Sequence, residues 1–196
     1  PPRRRDEQGR LMPASAPSHP ATGPTLRLIL GDQLDPCHSW FRAPDPEVIH
    51  VLMEIREETD SVLHHAQKIL AIFAAMRDFA RHLRAQGHRV RYVALDDASN
   101  RQSFTANLSA LAAHYRAARV EWQQPDEWRV DTALRDWAAN QPFATRVVDS
   151  EHFLCTRGEV AEVFSGRRQW LMEHFYRRMR RRPTPSRGRR SSPPCC

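Results

Sequence analysis

Three short stretches hold the side chains that could do chemistry. LGDQLDP (residues 30–36) sets Gly31 before an acceptor, Asp32, and an amide, Gln33, with Leu34 next in the turn. One glycine lets a backbone approach a ligand closely, and the carboxylate and amide together offer hydrogen bonds of both senses. A dinucleotide fold wants GxGxxG at such a place. Only Gly31 is present, so the turn that cradles a dinucleotide's phosphates is missing. An ordinary strand-to-loop turn is the plain alternative.

MEIREETD (53–60) puts four acids after an apolar run. Acids at the head of a helix complement its dipole, which accounts for Glu57, Glu58 and Asp60. Glu54 ends a buried strand, where a carboxylate is costly unless it is paired or bound. Glu54 and Glu58 are therefore the candidate acceptors for a heterocyclic ligand. In HHAQK (64–68), His64 and Lys68 share a helix face, and the adjacent histidines point about 100° apart. The position one turn after His64 is a lysine, so no metal site is expected there.

Toward the end of the chain, EHF (151–153) and EHFYRRMRRR (173–182) interleave basic and aromatic residues. Such text could serve nucleic acid through phosphate contacts and stacking. Leu171, Phe175 and Met179 fall on one helical stripe and read as core, leaving the arginines open. The sequence shows no convincing acid/base pair, GxSxG elbow or P-loop.

The elements that must position these residues alternate. Apolar runs at 26–30, 48–53, 89–95, 119–122 and 145–148 read as strands. Between and after them, amphipathic runs at 60–86, from Ser103 through Tyr115, and at 130–140, 159–164 and 168–182 read as helices. Thr59 or Asp60 is the expected N-cap of the long helix and Gly87 its C′ residue. The stripe Val62, Ile69, Ile72, Phe73, Met76, Phe79, Ala80, Leu83 is its expected buried face. This pattern predicts an α/β fold: a doubly wound, Rossmann-like, five-stranded parallel sheet with helices on both faces. Ligands in such folds bind beyond the carboxyl ends of the strands, at the switch point in strand order. The positions to interrogate are 31–34, 54–58, 96–97, 123–128 and 149–153.

The 196 residues allow one such domain with tails. The net charge of +7 belongs to the ends: residues 1–25 hold four Arg and two acids, and 177–196 hold eight Arg and no acid. Between them 18 basic residues face 21 acidic ones, so the pI of about 10.0 is no property of the domain. Ten of the 15 prolines lie in the same two segments, which predicts disordered basic tails at 1–25 and 183–196 around a domain at 26–182. Cys37 and Cys155 are isolated and Cys195 and Cys196 adjacent, with no zinc or disulfide spacing. No apolar run approaches the roughly 20 residues of a membrane span, and no secretory h-region leads the chain, so the cytoplasm is the default compartment.

Physics alone stops at a doubly wound domain with an unidentified ligand site. Four motifs carry a resemblance further: LILGDQLDP, HHAQKILAIFAAMRDFARHLRAQGHRVRYVALDD, QPDEWRV and MEHFYRRMRR, in that order. They resemble the N-terminal part of the deoxyribodipyrimidine photolyase-related proteins, the prokaryotic cryptochrome/photolyase branch that carries an iron–sulfur cluster. The resemblance covers residues 26–182. It implies light-dependent repair of (6-4) photoproducts in DNA with FAD as electron donor, and an antenna, 6,7-dimethyl-8-ribityllumazine, in the N-terminal domain. By the matching motifs its contacts fall on Gly31, Asp32, Gln33, Leu34, Glu54 and Glu58. The resemblance places FAD, the 4Fe–4S cluster and the flipped-out lesion in an all-helical C-terminal domain that this sequence does not contain. This chain alone is thus expected to lack repair activity.

After Arg182 the text PTPSRGRRSSPPCC departs from the family pattern, as a GC-rich gene read in a wrong frame would. The expectation is a frameshifted or truncated product; a genuine disordered basic tail is the alternative, and the residues before Met12 fall under the same question. Two other functions stay open: a standalone nucleotide- or flavin-binding α/β module, and a basic protein that binds nucleic acid through its tails.

Overall fold

A computed structural model describes residues 23–60, 64–153, 155–166 and 168–181. Five strands run in the chain order expected: β1 (Thr25–Leu28), β2 (Val48–Met53), β3 (Arg89–Val93), β4 (Arg119–Gln123) and β5 (Ala144–Val148). They form one all-parallel sheet in the order β3-β2-β1-β4-β5. The order reverses between β1 and β4, because β1 is followed by β2 on one side and β4 by β5 on the other. That crevice is the switch point.

The helices are α1 (Arg56–Asp60), α2 (Ala66–Ala85), α3 (Phe104–Tyr115), α4 (Trp128–Ala138), α5 (Arg157–Phe164) and α6 (Met172–Arg181). Strand alternation sorts the core into two layers. Leu26, Leu28, Ile49, Val51, Val120 and Trp122 meet Phe104, Leu108, Val130 and Leu134 of α3 and α4 on one face. Ile29 and Leu52 meet Met76, Phe79, Ala80 and Leu83 of α2, with Trp40 and Phe41, on the other. This is a doubly wound α/β fold. Removing a fully buried side chain from it, as in Leu108→Ala, costs about 2–5 kcal/mol. β2 lies inside the sheet and is buried at all six positions, the reason its sequence reads as an unbroken apolar run.

The second face also holds polar residues. Arg27 donates to Glu121 at 3.0 Å and lies 5.0 Å from the Trp40 ring centre. His50 and His88 stand edge to face beside Phe41, their centroids 5.2 Å apart.

Three expectations are corrected. The helix expected over 60–86 is two helices: Asp60 ends α1, and α2 starts at Ala66, capped by the His65 side chain, which accepts from the Gln67 N–H. An imidazole cap is not among the Ser, Thr, Asp and Asn signals that mark a helix start in sequence. The stripe on α2 is buried only from Met76 onward; Ile72 is 37% exposed, and Leu70 beside it 70%, while Val62 lies outside the described residues. In α6, Phe175 is buried against Phe164, but Leu171 precedes the helix and is half exposed. The left-handed φ of 89° at Gly87, just past α2, matches its expected role.

β1 opens at Thr25, inside the segment expected to be tail. Residues 1–22 and 182–196 lie outside the described residues. No helix among the described residues is long and apolar enough to cross a membrane.

Candidate functional site

A cleft of about 330 Å³ opens beyond the carboxyl end of β1, lined by Gly31, Asp32, Gln33, Leu34, Asp35 and His152. The turn that forms its floor is fixed by Gln33. The buried Gln33 amide accepts from the Leu30 N–H at 3.2 Å and donates to the Gln123 carbonyl at 3.2 Å. It thus pins the β1 turn to the end of β4, across the switch point. Gln33 lines the cleft, and its amide is committed to the framework.

Gly31 is needed for packing. A Cβ there would lie 3.0 Å from Ile72 Cγ2 and 3.2 Å from Met76 Sδ, so the bare backbone admits α2 against the turn. The close approach that the sequence assigned to a ligand is, on this side, an approach to a helix.

Asp32 is exposed at the cleft. Desolvation pushes its carboxyl above the ordinary aspartate range, its own backbone N–H opposes this, and the neighbouring Asp126 and Glu127 add to the rise while His152 lowers it. The fourth wall comes from the loop after β5. His152 donates from Nε2 to Asp126 Oδ2 at 3.2 Å, and Arg157 donates to the other Asp126 oxygen. The loop is anchored upstream as well: the Ser39 N–H and hydroxyl donate to Glu151 at 3.0 and 2.5 Å, and His38 Nε2 donates to the Asp149 carbonyl at 3.0 Å. These anchors hold Glu151 at a left-handed φ of 59°, an uncommon state for a residue other than glycine, and so set the direction in which the chain enters His152. Phe153, half exposed, stands with its ring centre 4.4 Å from that of His152.

Two candidates lie elsewhere. Glu54 is fully buried, and its carboxylate takes four donors: Arg77 Nε at 2.6 Å and NH2 at 2.8 Å, the Tyr92 hydroxyl at 2.5 Å and the Leu95 N–H at 2.9 Å. Burial alone would raise its pKa; the Arg77 bonds, then Tyr92 and Leu95, hold it below the usual carboxylate value. Glu54 closes the β2–β3 end of the sheet and has no acceptor left for a ligand. Glu58, on α1, accepts from Arg129 at 2.9 Å, and Arg129 also binds Glu127 at 2.7 Å. Burial pushes the Glu58 carboxyl up, against the pull of Arg129. Neither glutamate lines the cleft.

His152 and Asp126 do not stand out individually in the sequence, although both fall within stretches beyond strand ends that the switch-point rule marks. Lys68 does share a face with His64, at 3.4 Å.

Fold and cleft together define a doubly wound α/β domain with a cleft at its switch point. The chain matches the model of the deoxyribodipyrimidine photo-lyase-related proteins over residues 27–184 and belongs to that family. A (6-4) photolyase of Agrobacterium fabrum (strain C58 / ATCC 33970) is 39% identical over 158 residues, 80% of this chain and 31% of that protein. The chain therefore spans about a third of the length of the relative it matches.

Proposed function

We propose that this chain is the antenna domain of a photolyase-type protein and that the cleft between the β1 turn and His152 holds 6,7-dimethyl-8-ribityllumazine. The observation that carries the reading is the coincidence of that cleft with the switch point of a domain belonging to the photolyase-related family. The residues present fit such a group. A volume of about 330 Å³ is at the small end of cofactor sites, the Asp32 carboxylate accepts hydrogen bonds, His152 lines the cleft beside it, and Phe153 offers an aromatic surface nearby. When bound, the chromophore would supply light absorption. The chain's own contribution is to position it: Asp32 accepts from its imide or hydroxyl groups, His152 walls the cleft beside it, and Gln33 and Gly31 hold the turn in place.

Repair of (6-4) photoproducts in damaged DNA, with FAD and a 4Fe–4S cluster, is the activity we assign to the longer protein. Among the described residues no three His, Cys, Asp or Glu side chains are grouped to hold a metal.

Titration of the purified chain with the lumazine, followed by fluorescence anisotropy, tests the reading. Expected is a Kd of about 10 μM or below, weakened about tenfold or more by Asp32→Ala. Absence of binding at tens of micromolar would overturn it. A nucleotide or flavin co-purified in its place would favour a standalone α/β module. Salt-sensitive DNA binding lost on deletion of 183–196 would favour a nucleic-acid-binding tail.

A further inference from the structure

We propose that the cleft selects an uncharged, hydroxyl-bearing heterocycle and rejects the phosphate ester of the same molecule, with Asp32 and Asp126 as the residues that set this selectivity. The inference rests on the ligand reading above and adds the chemical class that the site admits.

Four carboxylates lie in or beside the mouth. Asp32 and Asp35 line it, Asp126 anchors His152, and Glu127 is close enough for its charge to act on Asp32. The nearby cations are already engaged: Arg157 with Asp126 and the Gln124 carbonyl, Arg129 with Glu127 and Glu58. Among the described residues no lysine or arginine lines the cleft. A phosphate arriving there would meet carboxylates at short range with no guanidinium free to receive it.

Part of the backbone at the turn is already engaged. Loops that bind phosphate aim several amide N–H groups into one concavity. In this turn the Gln33 N–H bonds the Leu30 carbonyl at 3.1 Å and the Asp35 N–H bonds the Gln33 carbonyl at 3.0 Å. The start of α4 at Trp128, whose dipole would welcome an anion, is already preceded by Asp126 and Glu127. The Asp32 carboxylate that lines the cleft is an acceptor. Acceptors call for N–H and O–H groups on the ligand, which a polyol side chain supplies and a phosphate does not.

The test uses two pairs that differ only in the ester: the lumazine against its 5′-phosphate, and riboflavin against FMN. Kd values are read by fluorescence in low and high salt. Expected is a neutral member that binds about tenfold or more tightly than its phosphate at low salt, with the gap narrowing at high salt. Asp32→Asn should narrow the gap by removing a charge, and Asp126→Asn by removing one and releasing Arg157. Equal Kd values within each pair, or a gap that neither salt nor these variants move, would overturn the selectivity while leaving the antenna reading intact. If no member of either pair binds, both fall.

Discussion

His152 Nε2 lies 3.2 Å from Asp126 Oδ2, which ties the loop after β5 to the loop after β4 across one end of the sheet. Because Arg157 holds the second Asp126 oxygen, that aspartate is the hinge pin of the cleft's outer wall. The pairs are partly exposed, so their net contribution to stability is small, below about 1 kcal/mol. Asp126→Ala should therefore leave the urea midpoint nearly unchanged and weaken lumazine binding about tenfold, because the ring is no longer oriented. His152→Ala should weaken binding to a similar degree. A double variant no weaker than either single one, measured by titration, would show that the two act as one unit.

Glu54 makes the opposite prediction. Its carboxylate is buried with four donors, and Glu54→Leu would strand the Tyr92 hydroxyl and the Leu95 N–H while leaving Arg77 unpaired. Expected is a loss of about 3 kcal/mol in unfolding free energy. The milder Glu54→Gln should lower stability and leave the lumazine Kd within about twofold. The pH dependence has a definite sign. The folded pKa lies below the unfolded one, so the stabilisation is complete above the unfolded value and lost as pH falls through the folded value. Urea midpoints between pH 6 and pH 3 should drop less steeply in Glu54→Gln.

The buried histidines set a second acid limit. Burial, then His88, Arg27 and His38, pushes the pKa of His50 down to about 3. His88 is lowered too, by burial first. Unfolding frees these rings to titrate near 6.5, so the unfolded chain binds more protons between that value and about 3. Stability therefore falls with pH through this window, by up to about 1.4 kcal/mol per pH unit for His50. Guanidinium midpoints measured from pH 7 to pH 4 should show the slope, and it should be shallower in His50→Gln.

Gly31→Ala probes the fit of α2 on the cleft's floor. The new methyl would press on Ile72 and Met76 at 3.0 and 3.2 Å, so both side chains must shift by a few tenths of an ångström. Expected is a destabilisation of about 1 kcal/mol, seen as a lower Tm, together with weaker lumazine binding as the turn shifts.

Much of the fold is legible in the residues. The five strands and their chain order come from short runs rich in apolar residues, and a strand buried on both faces has no polar side to show. β2 is the clearest case, with the same bounds in sequence and in structure. The helices come from their stripes. The rule that ligands gather beyond strand ends points, without any geometry, to the stretches that hold Asp32, Asp126 and His152.

The sheet order, and with it the crevice between β1 and β4, is decided only by the tertiary structure. So is the fate of each polar group at the strand ends. In sequence, Glu54 and Asp32 look alike, each an acid just past an apolar strand. Folding brings Arg77, Tyr92 and Leu95 onto Glu54 from positions 23, 38 and 41 residues away and fills its acceptors, while Asp32 is left facing the cleft. Gln33 is likewise committed to a carbonyl 90 residues on. Periodicity records whether a residue is buried, because burial is set by the element it lies on. It does not record which distant donor arrives, because that depends on how the elements pack, and a carboxylate binds a ligand only where packing has left its lone pairs unfilled.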